Sequence, residues 1–274
     1  MQTQENVLRQ YLPGLCSVTF RQHKAEDVID LAALSKVRAI EWGSDIHVPV
    51  GDVSTAAKVR TMCQQAHISP ASYGTYLRSG TGNSIEYLAS IVDTAAALGA
   101  QNIRVWGGPR GMASADADEN VWRQAADELR NVAELAAASD LTLSLEFHAD
   151  TLVDTGQSAI KLLQSVDHPA LFTKWQPTPG ITKQEALEQL AMIAPWLSYI
   201  DVFARDNERK RYLLSEFSDL WLAVFQKARP APSWRTTPFA MIEFVKDDAV
   251  SSLQDDVRSL KDFLTATQSR PAQR

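Results

Sequence analysis

The sequence predicts a single-domain (β/α)8 barrel, and three observations lead to that fold class. The chain has 274 residues, close to the usual length of such a barrel. Short apolar runs alternate with amphipathic helical stretches, which is typical of a parallel sheet. Eight such units divide the chain at roughly 34 residues each. We expect one domain over residues 1–274, with a polar, frayed tail at 265–274.

Eight short runs of apolar and β-branched residues are the predicted strands. The first is LCSVTF, and the later ones include NIRVW, LTLSLEF and FAMIEF. Their lengths suit strands that are buried on both faces, as barrel strands are. In chain order, the predicted strands cover residues 15–20, 39–42, 70–74, 102–106, 141–147, 171–176, 197–203 and 239–244.

Helices are predicted between the strands, where apolar residues recur at intervals of three and four. The clearest examples cover 85–98, 121–138, 183–193 and 249–264. Ser84 and Thr155 precede two helical stretches, and their hydroxyl groups can accept hydrogen bonds from first-turn amides. Each helix is expected to cover one edge of the barrel.

Composition narrows the choice of partners and compartment. The net charge is −6, so the clustered positive charge that binds a nucleic-acid backbone is not expected. A small molecule is the expected partner. Two cysteines, Cys16 and Cys63, indicate no disulfide framework, and a cytoplasmic protein is expected. No apolar run is long enough to span a membrane. The sequence does not decide between a monomer and a homo-oligomer.

Polar side chains are concentrated where the predicted strands end. Active sites of (β/α)8 barrels lie at this end, in the loops that follow the strands. Aromatic rings there can pack on the C–H face of a sugar, and polar groups can bind its hydroxyl groups. The expected substrate-binding residues are Arg21, Trp42, Asp45, His47, Tyr73, Arg78, Arg104, Trp106, His148, Lys174 and Trp175.

Glu146 and Glu243 are the leading catalytic candidates. Each lies in an apolar strand, LSLEF or AMIEF, where an ionised carboxylate is costly without a cation, a metal or hydrogen-bond donors. We favour a pair that binds a metal and exchanges a proton with a substrate C–H group. The alternative is a structural role in which each glutamate pairs with a barrel cation such as Arg104 or Lys174.

Several other residues have two readings. His148 either positions a substrate oxygen or packs against a loop, and His47 either contacts substrate or holds its own loop. Trp106 and Trp175 either line the pocket or fill the barrel. Arg21, Arg78 and Arg104 can bind a phosphate or carboxylate group, but no glycine-rich phosphate loop supports a phosphorylated substrate.

Several phrases of the chain resemble a known family. They are IEWGSDIHVP, SYGTYLRSG, NIRVWGG, LEFHADTLVDT, KWQP and IEFVKDD. The resemblance is to the xylose isomerase-like TIM-barrel superfamily, in its sugar phosphate isomerase/epimerase branch, and covers essentially the whole chain. It implies a barrel enzyme that acts on a sugar or a polyol-derived carbonyl compound.

The resemblance also implies a divalent metal held by Glu, Asp, His and Glu at the ends of strands 5 to 8. Here the matching positions are Glu146, Gln176, Asp201 and Glu243, so the middle two depart from the pattern. A cage of oxygen ligands would favour Mg²⁺ or Mn²⁺ over Zn²⁺.

Three function classes follow from the resemblance. The first is a metal-dependent sugar isomerase or epimerase that removes a proton α to a carbonyl. The second is a dehydratase or lyase of the inosose dehydratase type that begins with the same proton abstraction. The third is a metal-free, non-catalytic sugar-binding barrel or partner subunit, which the two departures keep open.

Overall fold

The computed structural model describes residues 10–266, in which eight parallel strands close into a barrel in chain order. The first strand pairs with the second on one side and with the eighth on the other, which closes the ring. This confirms the predicted (β/α)8 fold. The strands are β1 Leu12–Cys16, β2 Ala39–Gly43, β3 Ser69–Arg78, β4 Asn102–Trp106, β5 Thr142–Glu146, β6 Leu171–Trp175, β7 Leu197–Val202 and β8 Phe239–Ile242.

Eight α-helices in the described residues surround the barrel. They are α1 Ala25–Leu34, α2 Val53–Gln65, α3 Ile85–Leu98, α4 Glu119–Ala138, α5 Gly156–Val166, α6 Lys183–Ile193, α7 Ser218–Lys227 and α8 Val250–Ala266. The two predicted caps are present, because Ser84 and Thr155 accept hydrogen bonds from first-turn amides. The helix α8 continues through 265 and 266, where the sequence predicted a tail, and 267–274 lie outside the described residues.

The predicted bounds of the first strand, 15–20, were wrong, since β1 covers Leu12–Cys16. The chain leaves the sheet after Cys16, and Ser17–Phe20 form a 3₁₀ turn in which the Ser17 hydroxyl accepts the Gly43 N–H at 2.9 Å. The strand begins at Leu12, and the prediction missed its first residues because Pro13 and Gly14 are uncommon inside strands. A Cβ at position 14 would lie 2.2 Å from the Met241 sulfur, so a larger residue there would displace the Met241 side chain.

Strand ends also differ from the prediction at positions that matter for the site. The third strand continues to Arg78, four residues further than expected. The sixth and eighth strands end earlier, so Gln176 and Glu243 lie just beyond them. The chain turns sharply at Phe244, whose φ is 57°.

The N-terminal end of the barrel is closed by aromatic side chains. Trp234, from the connection between α7 and β8, packs edge-on against Phe172 and Tyr199. This apolar plug leaves the opposite end as the open mouth. Within residues 10–266, no helix has the length and apolar character that crossing a membrane requires.

Candidate functional site

One layer of the barrel interior, near the mouth, is made of charged side chains. Successive residues of a strand point to opposite faces, so alternate positions of neighbouring strands meet inside the barrel. The layer contains Glu41, Arg104, Glu146, Lys174 and Asp201, which come from β2, β4, β5, β6 and β7. All five residues are buried. Such a layer is stable only if its charges neutralise one another.

Lys174 lies at the centre of this charged layer. Its Nζ donates to both carboxylate oxygens of Glu41 at 2.8 Å and lies 2.9 Å from Oδ1 of Asp201. Burial opposes the positive charge, but the carboxylates of Asp201 and Glu41 outweigh it and raise the pKa of Lys174 well above its ordinary value. Lys174 is therefore a fixed ammonium ion.

The two acidic partners of Lys174 hold their protons differently. Burial raises the pKa of Glu41, but the charges of Lys174 and Arg104 lower it by a larger amount, so the net pKa shift is downward. Burial raises the pKa of Asp201 to about 7, because the attraction of Lys174 is opposed by Glu41 and Glu146. Asp201 therefore takes up a proton near neutral pH, whereas Glu41 stays ionised.

A second cluster surrounds Glu146. The Nε of Arg104 lies 2.9 Å from Oε2 of Glu146, and the same oxygen accepts the indole N–H of Trp106. The other oxygen accepts a hydrogen bond from Nε2 of Gln176 at 2.9 Å. Arg104 also donates to the backbone oxygen of Thr75 at 2.6 Å. Glu146 is thus held in place by three side chains.

Glu243 differs from the other carboxylates because it lacks a partner. It is partly buried, and within the described part of the chain its side chain has no hydrogen bond or ion pair. Burial and the nearby charges of Asp201 and Glu146 raise its pKa well above the ordinary value, against the weaker effects of Lys174 and Arg104. Glu243 therefore holds its proton more tightly than an ordinary carboxyl group does.

These contacts do not fit the predicted metal cage. The amide nitrogen of Gln176 donates to Glu146, and Asp201 is paired with Lys174. In residues 10–266, no group of three or more His, Cys, Asp and Glu side chains is placed to hold a metal ion. Lys174 and Arg104 supply positive charge among the carboxylates instead. The ligand set Glu146, Gln176, Asp201 and Glu243 is not supported, and we derive no chemical step through a metal.

A cavity of about 460 Å³ opens above the charged layer. Its lining includes Tyr76, Arg78, Trp106, Arg110 and His148. Trp106 separates the two regions, since its N–H reaches down to Glu146 while its ring faces the cavity. The guanidinium carbon of Arg78 lies 4.0 Å from the centre of that ring.

A backbone contact selects the tautomer of His148 in this cavity. Its Nδ1 is hydrogen bonded to the backbone oxygen of Ala149, so Nδ1 must carry the proton. The neutral ring then has its lone pair on Nε2. His148 therefore offers a proton acceptor in the lining of the cavity.

At the rim, the predicted residues Arg21 and Asp45 form an ion pair, and Arg21 also donates to the Tyr76 hydroxyl. These contacts connect the segments that follow β1 and β2 with the end of β3. Arg21 remains exposed, and it is therefore accessible from the mouth.

Three predicted substrate contacts belong to the hydrophobic core instead. Trp42, Tyr73 and Trp175 are fully buried. Trp175 donates to Gln189 of α6 and packs edge-on against Trp221, so it lies between the barrel and its helices. The alternation along each strand explains the correction, because an inward Lys174 requires an outward Trp175.

Two further substrate predictions need correction. His47 is buried, and its two ring nitrogens are bonded to the Ser17 hydroxyl at 3.0 Å and the His23 backbone oxygen at 3.1 Å. It therefore holds the loop after β2 in place. Lys174 lies below the cavity and is saturated by Glu41 and Asp201, so it does not contact substrate directly.

Two residues of the site were missed by the sequence reasoning. Glu41 stands alone in the apolar strand AIEWG, the same signal that singled out Glu146 and Glu243. Arg110 lies in a loop beyond the glycine pair that follows β4, and nothing in its sequence context marks it as a cavity residue.

The chain is similar to known proteins of one family. A sequence model of the family described as xylose isomerase-like TIM barrel matches residues 29–176. A 3-dehydroshikimate dehydratase of Bacillus anthracis is 26% identical over 200 residues, which are 68% of this chain and 69% of that protein. These likenesses extend across more than half of the chain.

Solved structures with the same fold are also similar. A probable 3-DHS dehydratase from Bacillus anthracis has a TM-score of 0.74 at 19% identity, covering 91% of this chain and 98% of that one. A xylose isomerase-like TIM barrel protein from Mycobacterium smegmatis in complex with magnesium has a TM-score of 0.68 at 14% identity. The match covers 94% of this chain and 98% of that one. A D-allulose 3-epimerase from Methylomonas sp. has a TM-score of 0.65 at 15% identity, and the match covers 94% of this chain and 98% of that one. At these identities the likeness shows the fold alone.

Proposed function

The chain belongs to the xylose isomerase-like TIM barrel family, and from that premise we propose that it is a dehydratase of a polyhydroxylated carbonyl compound. The observation that carries the proposal is a pair of complementary proton-transfer groups at one mouth. His148 presents an acceptor, and Glu243 presents a carboxyl group whose raised pKa suits it to act as the acid. Elimination of water next to a carbonyl group requires one group of each kind.

In the proposed reaction, Nε2 of His148 takes the proton from the carbon next to the carbonyl. The electrons of that C–H bond form a double bond to the neighbouring carbon, whose bond to the hydroxyl oxygen breaks. Glu243 gives its proton to the leaving oxygen, which departs as water. Transfer of the proton from His148 to the Glu243 carboxylate through solvent restores the starting state.

Glu146, predicted as a catalytic base, has a positioning role in this proposal. Its two oxygens accept hydrogen bonds from Trp106 and Gln176, and one of them also lies 2.9 Å from Nε of Arg104, so both oxygens are already engaged. It fixes the indole that forms part of the cavity wall. Lys174 and Arg104 offset the carboxylate charge that a metal would otherwise offset.

Elimination is favoured over isomerisation by the likeness to the dehydratase of Bacillus anthracis. The likeness to a sugar 3-epimerase keeps epimerisation as the second candidate, since it starts with the same proton abstraction. A non-catalytic sugar-binding barrel is the third outcome to be tested.

The test is to incubate the protein in D₂O with 3-dehydroshikimate and, separately, with D-allulose. Dehydration is expected to form a conjugated product with new ultraviolet absorbance. Recovered substrate with deuterium at the α carbon and no new absorbance would indicate epimerisation or isomerisation instead. No change in either substrate would favour a binding protein.

Matched variants test the assigned roles. Glu243→Gln and His148→Ala are each expected to lower kcat by about 10²-fold or more. Glu134→Gln changes an exposed glutamate of α4 and should leave kcat unchanged. Full activity is expected after dialysis against a chelator, and a loss that Mg²⁺ or Mn²⁺ restores would contradict the metal-free mechanism.

A further inference from the structure

Two arginines of the cavity have no acidic partner. Arg78 lies at the end of β3, and Arg110 lies in the loop after β4. Among residues 10–266, no carboxylate oxygen lies within 4.0 Å of either guanidinium group, whereas Arg21, Arg104 and Arg211 all have one. Unpaired arginines that share a cavity are placed to bind an anion.

Arg78 is held ready for such a ligand. Its guanidinium lies against the Trp106 ring, and its buried Nη1 has no hydrogen-bond acceptor in the described residues. A buried N–H without an acceptor is unfavourable, so an incoming oxygen would satisfy it. Burial and the charge of Arg110 also lower the pKa of Arg78, which an anion would offset.

The charges around the cavity favour an anion. The lining contains Arg78 and Arg110, with one carboxylate, the exposed Asp150. Glu146 lies on the other side of Trp106 and is engaged by its own donors. The charges of Arg78, Arg110 and Asp150, two positive and one negative, sum to +1.

We propose that this cavity binds the carboxylate or phosphate group of an anionic, polyhydroxylated substrate, with Arg78 and Arg110 as its ligands. Trp106 and Tyr76 supply aromatic surface for the carbon skeleton. The inference deepens the proposed function, because it names the substrate class and places the anionic group beside His148.

Calorimetric titration of the full-length protein at low ionic strength tests the proposal with three probes. Gluconate and glucose are compared because both are polyols and gluconate adds a carboxylate, while inorganic phosphate tests the second source of negative charge. We expect gluconate or phosphate to bind at least about tenfold more tightly than glucose. Preference between the two anions identifies the group that the subsite takes. No preference for either anion over glucose would overturn the proposal.

Variants locate the binding. Arg78→Gln and Arg110→Gln are each expected to weaken anion binding about tenfold or more, and Arg78→Lys less than Arg78→Gln because it keeps the charge. Arg123→Gln, at an exposed arginine of α4, is the matched control and should bind like the parent. Equal affinity in all four variants would place the anion elsewhere and overturn the assignment.

Binding does not depend on turnover, so the two proposals fail separately. A protein that binds gluconate through Arg78 but changes neither test substrate would retain the subsite and lose the proposed dehydratase activity. Thermal unfolding of each variant, followed by circular dichroism, verifies that a loss of binding is not a loss of fold.

Discussion

The ammonium group of Lys174 on β6 lies 2.8 Å from both carboxylate oxygens of Glu41 on β2. These two strands are four positions apart in the ring of eight, so the ion pair crosses the interior of the barrel. Asp201 joins it from β7 at 2.9 Å. The charged layer therefore connects opposite walls of the barrel.

Replacing Lys174 with methionine should destabilise the protein strongly. Two buried carboxylates would lose their cation, which costs on the order of 3–5 kcal/mol in the free energy of unfolding. Urea denaturation measures this loss. Lys183→Met breaks an exposed ion pair with Asp219 and should cost below about 1 kcal/mol. Adding Glu41→Gln to Lys174→Met should recover part of the loss, and no recovery would argue against the pairing.

Gly74→Ala should also destabilise the charged layer. A Cβ at position 74 would lie 3.1 Å from Nη2 of Arg104 and 3.1 Å from Oε1 of Glu41, and both side chains are held by buried ion pairs. We expect a loss of about 1–3 kcal/mol in urea unfolding, typical of overpacking. Gly156→Ala is the control, because its Cβ would meet the flexible end of Met192. Equal losses in the two variants would contradict this explanation.

Glu243 should make stability decrease as pH rises. Its pKa is raised by folding, so the folded state binds more protons than the unfolded state above its ordinary pKa of 4.5. The raised pKa of Asp201 also makes stability decrease as pH rises, until the pH passes about 7. As the pH rises above about 5, Glu243→Gln should lose less stability than the parent in urea unfolding. Glu134→Gln should follow the parent, and a Glu243→Gln curve parallel to the parent would refute the prediction.

His47 should make stability decrease as the pH falls. Burial lowers its pKa below 6.5, so the unfolded state binds more protons and stability falls as pH drops below about 7. His47→Ala removes two hydrogen bonds and should cost about 1–3 kcal/mol at neutral pH, with a smaller loss on acidification. His67→Asn, at an exposed histidine with a φ of 56°, serves as control. If His47→Ala lost as much stability on acidification as the parent does, His47 would not be the source of the acid sensitivity.

The fold could be predicted from the sequence because each strand and helix has its own local pattern. The exception was β1, where Pro13 and Gly14 hide a strand that the barrel requires. Orientation was harder to assign. Trp42, Tyr73 and Trp175 were placed in the pocket because aromatic residues suit a sugar site, although alternation with Glu41 and Lys174 directs two of them outward.

The charged residues at the strand ends were predicted, and so was one of their pairs, because Arg104 lies beside Glu146 as the structural alternative held. The pairing of Lys174 with Glu41 was not predicted. Counting carboxylates at strand ends suggested a metal cage, because a sequence does not show which cation lies between them. Only the closed barrel brings Lys174 of β6 to Glu41 of β2, across 133 residues of chain. Long-range pairing of this kind leaves no local pattern in the sequence.

Trp106 keeps two opposite charges apart. Its N–H donates to Glu146 below and its face carries Arg78 above, so the indole is a partition between an anion with several partners and a cation with no acidic partner among residues 10–266. The charge of Glu146 already acts on Arg78 across this partition. If the ring were truncated, the two residues would neutralise each other, and the cavity would lose its attraction for anions without losing either charged residue.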